Sequence, residues 1–194
     1  LDITGAGGPC LAVALANRIH TSVVFANKKI ELADKIKKMI STDYYHIFTS
    51  SDVIGVETCA AIKNIFAMAI GSTKDFNTAA ALFQQSINEM IFFSKKINGK
   101  KETVTGLAGV GDLYVSAIGG RNSKMGGYLG EGLTFNEAKK IKMPNDTVEG
   151  ADLAKEIGNK VKSDFDIKSL PLMISVINTI CEGKALKIEW NYFK

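Results

Sequence analysis

The sequence predicts an α/β segment over residues 1–50 followed by an all-helical region over residues 51–194. Two changes along the chain predict it. Up to about residue 50, short β-branched runs alternate with helical periodicity, which is the grammar of the tail of a parallel sheet. Beyond Ser51, long helical segments take over, punctuated by capping residues and glycines. No internal repeat, low-complexity tract or long linker interrupts either part.

The elements follow in order. Leu1-Asp2-Ile3-Thr4 reads as extended, and Gly5-Ala6-Gly7-Gly8-Pro9-Cys10 as a glycine-rich loop. A helix is expected from Leu11 to Arg18, a strand at Ser22-Val23-Val24-Phe25-Ala26, a helix from about Glu31 to Ile40, and a short strand from Tyr44 to Thr49. The helical region opens with a segment from about Ser51 to Ile70. A second runs from Asn77 to Ile97, with Leu82, Ile87, Met90 and Ile91 on its apolar face. Short helices flank a glycine-rich centre, one of them over Ser123 to Leu129. Thr134 and Glu137 have capping-box spacing, which starts a helix at Phe135. Another helix starts near Val148, and the last begins at Pro171 and stops at Gly183.

With 194 residues, 46% apolar and 23% charged, the chain is long enough for one domain plus part of another. Its net charge of +4 suits an anionic ligand, but the lysines are scattered and no aromatic-interleaved basic stripe accompanies them. A nucleic-acid partner is therefore not expected. The most apolar run, Cys59 to Ile70, is broken by Lys63 and Asn64, so a membrane span is not expected either. Cys10, Cys59 and Cys181 are odd in number and far apart, as reduced thiols of a cytoplasmic protein would be. They form no metal-ligand spacing with His20 or His46, and no metal is expected. The chain begins on Leu1 with what reads as the end of a strand, so it looks like an excerpt of something longer.

The candidate chemistry lies in a few residues. Lys63 sits mid-helix with Cys59, Ala60, Phe66 and Ala67 three and four residues away, none able to pair with its charge. Partial desolvation makes such a lysine a candidate general acid or base, and a lysine snorkelling to solvent is the other reading. Asn64 points about a quarter-turn away and can approach the same small ligand. Asp112, in Gly109-Val110-Gly111-Asp112-Leu113, is either an inward carboxylate completing the charge of Lys63 or an N-cap for a helix entered at Leu113. Ser116 follows one helical turn later. Gly119-Gly120-Arg121-Asn122 sets a glycine turn, a planar cation and a capping amide in succession, a metal-free grip for phosphate or carboxylate. An exposed arginine at a helix start is the alternative. The Gly5–Cys10 loop invites a dinucleotide fingerprint, but Cys10 takes the third glycine's place and Pro9 intrudes. It reads as a tight turn near a ligand.

The order of these motifs is more specific than any one of them. Gly8-Pro9-Cys10-Leu11-Ala12, Gly55-Val56-Glu57 leading to Ala61-Ile62-Lys63-Asn64, Gly106 through Leu113, Gly119 through Asn122, Leu129-Gly130-Glu131-Gly132 and Val148-Glu149-Gly150 follow one another along the whole chain. In that order they closely resemble the NAD(P)-dependent glycerol-3-phosphate dehydrogenase family. The resemblance implies the C-terminal end of a Rossmann-type cofactor domain over residues 1–50. An all-α substrate domain of the 6-phosphogluconate dehydrogenase C-terminal type would follow over residues 51–194.

It also implies a set of roles. Lys63 and Asp112 would be catalytic, the lysine moving a proton and the aspartate orienting it. Gly8, Cys10, Asn64, Ser116, Gly120, Arg121 and Asn122 would bind a small phosphorylated three-carbon substrate, dihydroxyacetone phosphate or sn-glycerol 3-phosphate. Ala12, Arg121, Thr147 and Glu149 would meet NAD or NADP. The chain departs from the family pattern at Cys10, where a hydroxyl residue is usual, and at Ser116, where threonine is usual. The glycine loop and most of the cofactor sheet that the family places first are not among these residues, so the chain alone is expected to bind cofactor poorly and to be inactive. A cytoplasmic enzyme feeding glycerophospholipid synthesis, and a homodimer, are the further expectations. A reductase of another short hydroxy acid, and a catalytically silent helical binding or dimerisation module, are the competing readings.

Overall fold

The computed structural model describes residues 2–193. The chain divides into two compact units, Leu1–Ala60 with Met90–Asp112, and Ala61–Glu89 with Leu113–Lys194.

The first unit carries a three-stranded sheet in the order β1 (Gly5–Gly7), β2 (Thr21–Ala26), β3 (Tyr45–Ser50). β2 and β3 run parallel, with Thr21 opposite Tyr45 and Ala26 opposite Ser50. Parallel neighbours need a crossover, which α2 (Ile30–Ile40) supplies, packing on the sheet with Ala33 fully buried. Both strands and this helix lie within one residue of their expected bounds.

β1 departs from the sequence reading. The sequence puts the extended segment at residues 1–4 and a loop over the glycines. The strand is instead Gly5–Gly7, and it pairs antiparallel with β2, Gly5 opposite Ala26. The sheet is therefore mixed, and Leu1 lies outside the described residues. Small size explains the shift. A Cβ on Gly5 would strike Glu57, and one on Gly7 would press Val56, both in α3 (Val53–Gly71). Residues 2–4 are held differently, by Asn27 Nδ2 donating to the Ile3 carbonyl at 3.0 Å and to Thr4 Oγ1 at 2.8 Å. The next helix, α1 (Ala12–Ala16), is shorter than expected because Arg18 takes a left-handed φ of 56° and ends it.

Residues 53–60 of α3 and 90–96 of α4 (Phe76–Lys96) belong to this unit, with α5 (Lys101–Thr105). Ala26, Val56 and Ala108 form its buried centre, packed by Val24 and Val53. Asp52 opens α3: its carboxylate accepts the Gly55 N–H at 3.0 Å, the Lys100 N–H at 2.9 Å and the Thr103 hydroxyl at 2.5 Å. Burial raises the Asp52 pKa, yet those hydrogen bonds outweigh it and hold the carboxyl below its usual value.

Leu107–Gly111 form a π-helical turn, with the Gly111 N–H donating to the Gly106 carbonyl at 3.3 Å, and α6 (Asp112–Gly119) continues from it. Asp112 is therefore not an N-cap: the backbone before it is already helical, so it has no helix start to close. Nor do its neighbouring glycines make left-handed turns. Gly109 is small because a Cβ there would collide with the Val104 backbone.

The second unit is helical: residues 61–71 of α3 and 76–89 of α4, then α6 from Leu113, α7 (Arg121–Gly130), α8 (Phe135–Ile141), α9 (Glu149–Asp164) and α10 (Pro171–Glu182). Its core is built on Phe66, Met68, Leu82, Met125, Leu129, Leu172 and Met173, all essentially without exposure. The expected capping box is formed, Thr134 Oγ1 accepting the Glu137 N–H while Glu137 accepts the Thr134 N–H at 2.9 Å. Pro171 opens α10 and Gly183, at φ 66°, closes it.

α7 lies close on α3 because it presents glycines. A Cβ on Gly126 would meet the Met68 carbonyl, and one on Gly130 the Ser72 carbonyl. The start of α10 is held from a distance in sequence, by Glu89 of α4 accepting the Leu172 and Met173 N–H groups at 2.8 and 2.9 Å. The sequence shows no run of membrane-spanning length because Lys63 and Asn64 interrupt it. As a single helix of 19 residues α3 is long and apolar enough by length and composition, yet Ile62 and Ile65 through Ile70 are buried in the protein.

Candidate functional site

Within the second unit, five of the expected site residues meet in one hydrogen-bonded cluster. α9 begins after Val148, whose side chain has no atom able to cap it. Asn122, the second residue of α7, does so from outside: its Oδ1 accepts the Gly150 N–H at 2.8 Å. Its Nδ2 donates to Asn64 Oδ1 on α3 and to Glu149 Oε2, both at 3.1 Å. Asn122 is 5% exposed, so these bonds satisfy a buried amide in full view of three helices. The expected capping amide is thus real, but it caps α9 rather than its own helix.

Arg121 is the first residue of α7 and is exposed. Its Nε donates to the Thr147 carbonyl at 3.0 Å, and its Nη2 pairs with Glu149 Oε1. Burial raises the Glu149 pKa, but its own backbone N–H, Arg121 and Asn122 outweigh this and hold the carboxyl below its ordinary range. The Gly119-Gly120 pair is not a left-handed turn: Gly120 sits at φ −78°, ψ 162° as the N-cap, its N–H reaching the Ser116 carbonyl at 3.3 Å. Gly120 must be small since a Cβ would crowd that carbonyl, whereas Gly119 faces open space.

Lys63 is half-buried beside Asn64 on α3, with Phe66 and Ala67 fully buried one turn on. Ser116 is half-buried on α6. The remaining candidates lie in the first unit. Gly8 adopts φ 119° where a Cβ would stand 3.3 Å from Val23 Cα, which only glycine accepts. Cys10 is exposed just before α1, and Ala12 is that helix's first residue. Asp112 is buried at the end of the π turn, and Pro9 packs near Gly111, so the glycine-rich loop and the π turn adjoin. Cys59, fully buried on α3, has its thiol pushed up to about 12, by burial first and then by Asp52 and Asp112.

Residues 52–190 match the family described as NAD-dependent glycerol-3-phosphate dehydrogenase C-terminus. The chain belongs to this family. Among its relatives, the NADP(+)-dependent glycerol-3-phosphate dehydrogenase of Archaeoglobus fulgidus is 32% identical over 196 residues, covering 94% of this chain and 56% of the relative. The glycerol-3-phosphate dehydrogenase [NAD(P)+] of Clostridium tetani is 33% identical over 189 residues, covering 93% and 52%. The chain thus spans about half the length of the curated relatives it matches. The glycerol-3-phosphate dehydrogenase structure from Coxiella burnetii superposes with a TM-score of 0.83 at 28% identity, over 94% of this chain and 57% of that one.

Two features of this member of the family were not visible in its sequence. One is the Arg121–Glu149 ion pair, since the two residues are 28 apart. The other is the pair of buried carboxylates, Asp52 and Glu89, that cap helices through partners up to 84 residues away. The lone acid before an apolar helix was the available signal for Asp52.

Proposed function

We propose that the chain is the C-terminal part of an NAD(P)-dependent glycerol-3-phosphate dehydrogenase, interconverting sn-glycerol 3-phosphate and dihydroxyacetone phosphate. The observation that carries the reading is the cluster of Arg121, Asn122, Thr147, Glu149 and Asn64 beside Lys63, in a chain that matches the family over residues 52–190. In this reading residues 1–50 end a Rossmann-type cofactor domain and residues 51–194 form the substrate domain.

The donor set fits a dinucleotide. A guanidinium can hold a phosphate oxygen, and a half-exposed carboxylate can accept from ribose hydroxyls. Arg121, Thr147, Glu149 and Ala12 would hold it. When bound, its nicotinamide supplies or accepts the hydride at C2 of the substrate. The chain's own residues do the rest. Lys63 Nζ gives its proton to the C2 carbonyl oxygen during reduction and takes it back from the hydroxyl during oxidation. The family resemblance assigns Asp112 a catalytic role beside this lysine's. Asn64 and Ser116 hydrogen-bond the substrate oxygens, and Gly120, Arg121 and Asn122 receive its phosphate; the family resemblance assigns Gly8 and Cys10 to the substrate as well. The enzyme would be a cytoplasmic homodimer supplying glycerophospholipid synthesis, with no metal in the reaction.

The test is dihydroxyacetone phosphate-dependent oxidation of NADH and NADPH by the gene product that contains this chain, with calorimetric binding of dihydroxyacetone phosphate to the chain itself. Turnover lost in Lys63→Met and binding lost in Arg121→Ala are expected. A Lys63→Met enzyme with intact turnover, or a chain that does not bind dihydroxyacetone phosphate, overturns the reading.

A further inference from the structure

We infer that Glu149 is a resident surrogate anion, which an incoming oxyanion must displace to be gripped by Arg121 and Asn122. The inference rests on the proposed anion role of those two residues and adds a competitor built into the chain.

The geometry is specific. The two oxygens of one carboxylate are divided between the two proposed ligand-binding side chains: Oε1 on Arg121 Nη2, Oε2 on Asn122 Nδ2 at 3.1 Å. A phosphate bridging the same pair would make the same two bonds. Glu149 is held there by more than its side chain, because Asn122 also binds the next backbone N–H, that of Gly150. The carboxylate thus stands where α9 begins, and the positive end of that helix favours an anion in this place whichever molecule supplies it. The Arg121 Nε is meanwhile turned to the Thr147 carbonyl, so the Nε–Nη2 edge of the guanidinium faces protein acceptors on both atoms. Bidentate capture of a phosphate on this edge requires both to be exchanged.

The contact is placed to be exchanged. The Arg121 and Glu149 side chains are 55% and 39% exposed, so the pair is a solvent-screened bridge and not a buried lock. A partly exposed bridge of this kind weakens a competing ligand by a few-fold, enough to favour ligands whose charge exceeds that of one carboxylate. The consequence is selection: a phosphate dianion offers more charge and more acceptor oxygens than Glu149, whereas a carboxylate ligand merely equals it.

The experiment titrates inorganic phosphate, acetate, sn-glycerol 3-phosphate and ADP-ribose into the wild type, Glu149→Gln, Arg121→Ala and the double variant by calorimetry. Glu149→Gln is expected to bind phosphate about fivefold more tightly than wild type, about 1 kcal/mol in affinity. The gain should vanish when Arg121 is also removed, which a double-variant cycle reads directly. Of the two organic phosphates, the one with the larger gain identifies the source of the natural oxyanion. In the wild type, the Asn122 side-chain amide and Arg121 Nε resonances should move together as phosphate is added, a readout that needs no variant to fold. Phosphate binding that requires Arg121 but is unchanged or weaker in Glu149→Gln overturns the inference alone. Equal phosphate affinity in wild type and Arg121→Ala overturns the anion site of the proposed function with it.

Discussion

Asn122 Oδ1 accepts the Gly150 N–H at 2.8 Å, so a side chain on α7 closes the N-terminus of α9. The same amide reaches Asn64 and Glu149 through its nitrogen. Replacing it strands a buried N–H and two acceptors together. Asn122→Ala should cost about 2 kcal/mol of unfolding free energy, measured by urea denaturation, since unmade buried hydrogen bonds carry the full desolvation penalty. A loss well under that value would mean that water replaces the amide.

Asp52 gives a pH dependence of known sign. Its folded pKa lies below the unfolded value of 3.8, so the unfolded chain binds the proton first as pH falls. The stability it supplies is complete above the unfolded pKa and is lost as pH falls through the lower folded one. Equilibrium unfolding of wild type and Asp52→Asn should converge in strongly acidic buffer and separate toward neutrality. Curves that stay parallel would contradict this.

Glu89 acts in the opposite direction. Burial pushes its carboxyl up to about 7, against the hydrogen bonds from Met173, Leu172 and Gln85. Because the folded chain holds this proton more tightly, its contribution is greatest below the unfolded value of 4.5 and is lost as pH rises through about 7. Glu89→Gln should flatten the fall in stability between about pH 5 and pH 8. An unchanged slope would assign that fall to other groups.

The close crossing of α7 on α3 predicts a contrast between two glycines. Gly126→Ala should lower stability by about 1–3 kcal/mol, because its Cβ would meet the Met68 carbonyl and the helices must part. Gly119→Ala, with open space around the new Cβ, should be neutral or slightly stabilising. Thermal unfolding of the two proteins side by side decides it.

For the proposed reaction, Arg121→Lys should raise KM for dihydroxyacetone phosphate about tenfold while leaving kcat much closer to wild type. An ammonium keeps the charge but not the planar fork that contacts Thr147 and Glu149. A fall in kcat with unchanged KM would move Arg121 from binding to chemistry.

Local rules made much of the chain legible. The Thr134–Glu137 capping box, Pro171 and Gly183 fixed their helix ends, and β-branched residues marked β2 and β3. Local rules failed where the cause lies elsewhere in the chain. β1 occupies glycines because of what α3 presents to it, and nothing near Gly5 reports Glu57 or Val56. Glu89 looks like one more polar residue on α4 until Leu172 and Met173 arrive from the far end of the sequence. At the candidate site, residue type and spacing pointed to Asn64, Arg121 and Asn122, and the family resemblance to Glu149, but neither pointed to the division of one carboxylate between two of them.

The π turn at Leu107–Gly111 stores one spare residue. The Gly111 N–H reaches back five residues to Gly106 where an α-helix reaches four, so this turn holds one residue more than an ordinary one. Deleting Val110 is therefore a length change that the stretch absorbs by closing as an α-turn, whereas the same deletion inside α6 has no slack to draw on.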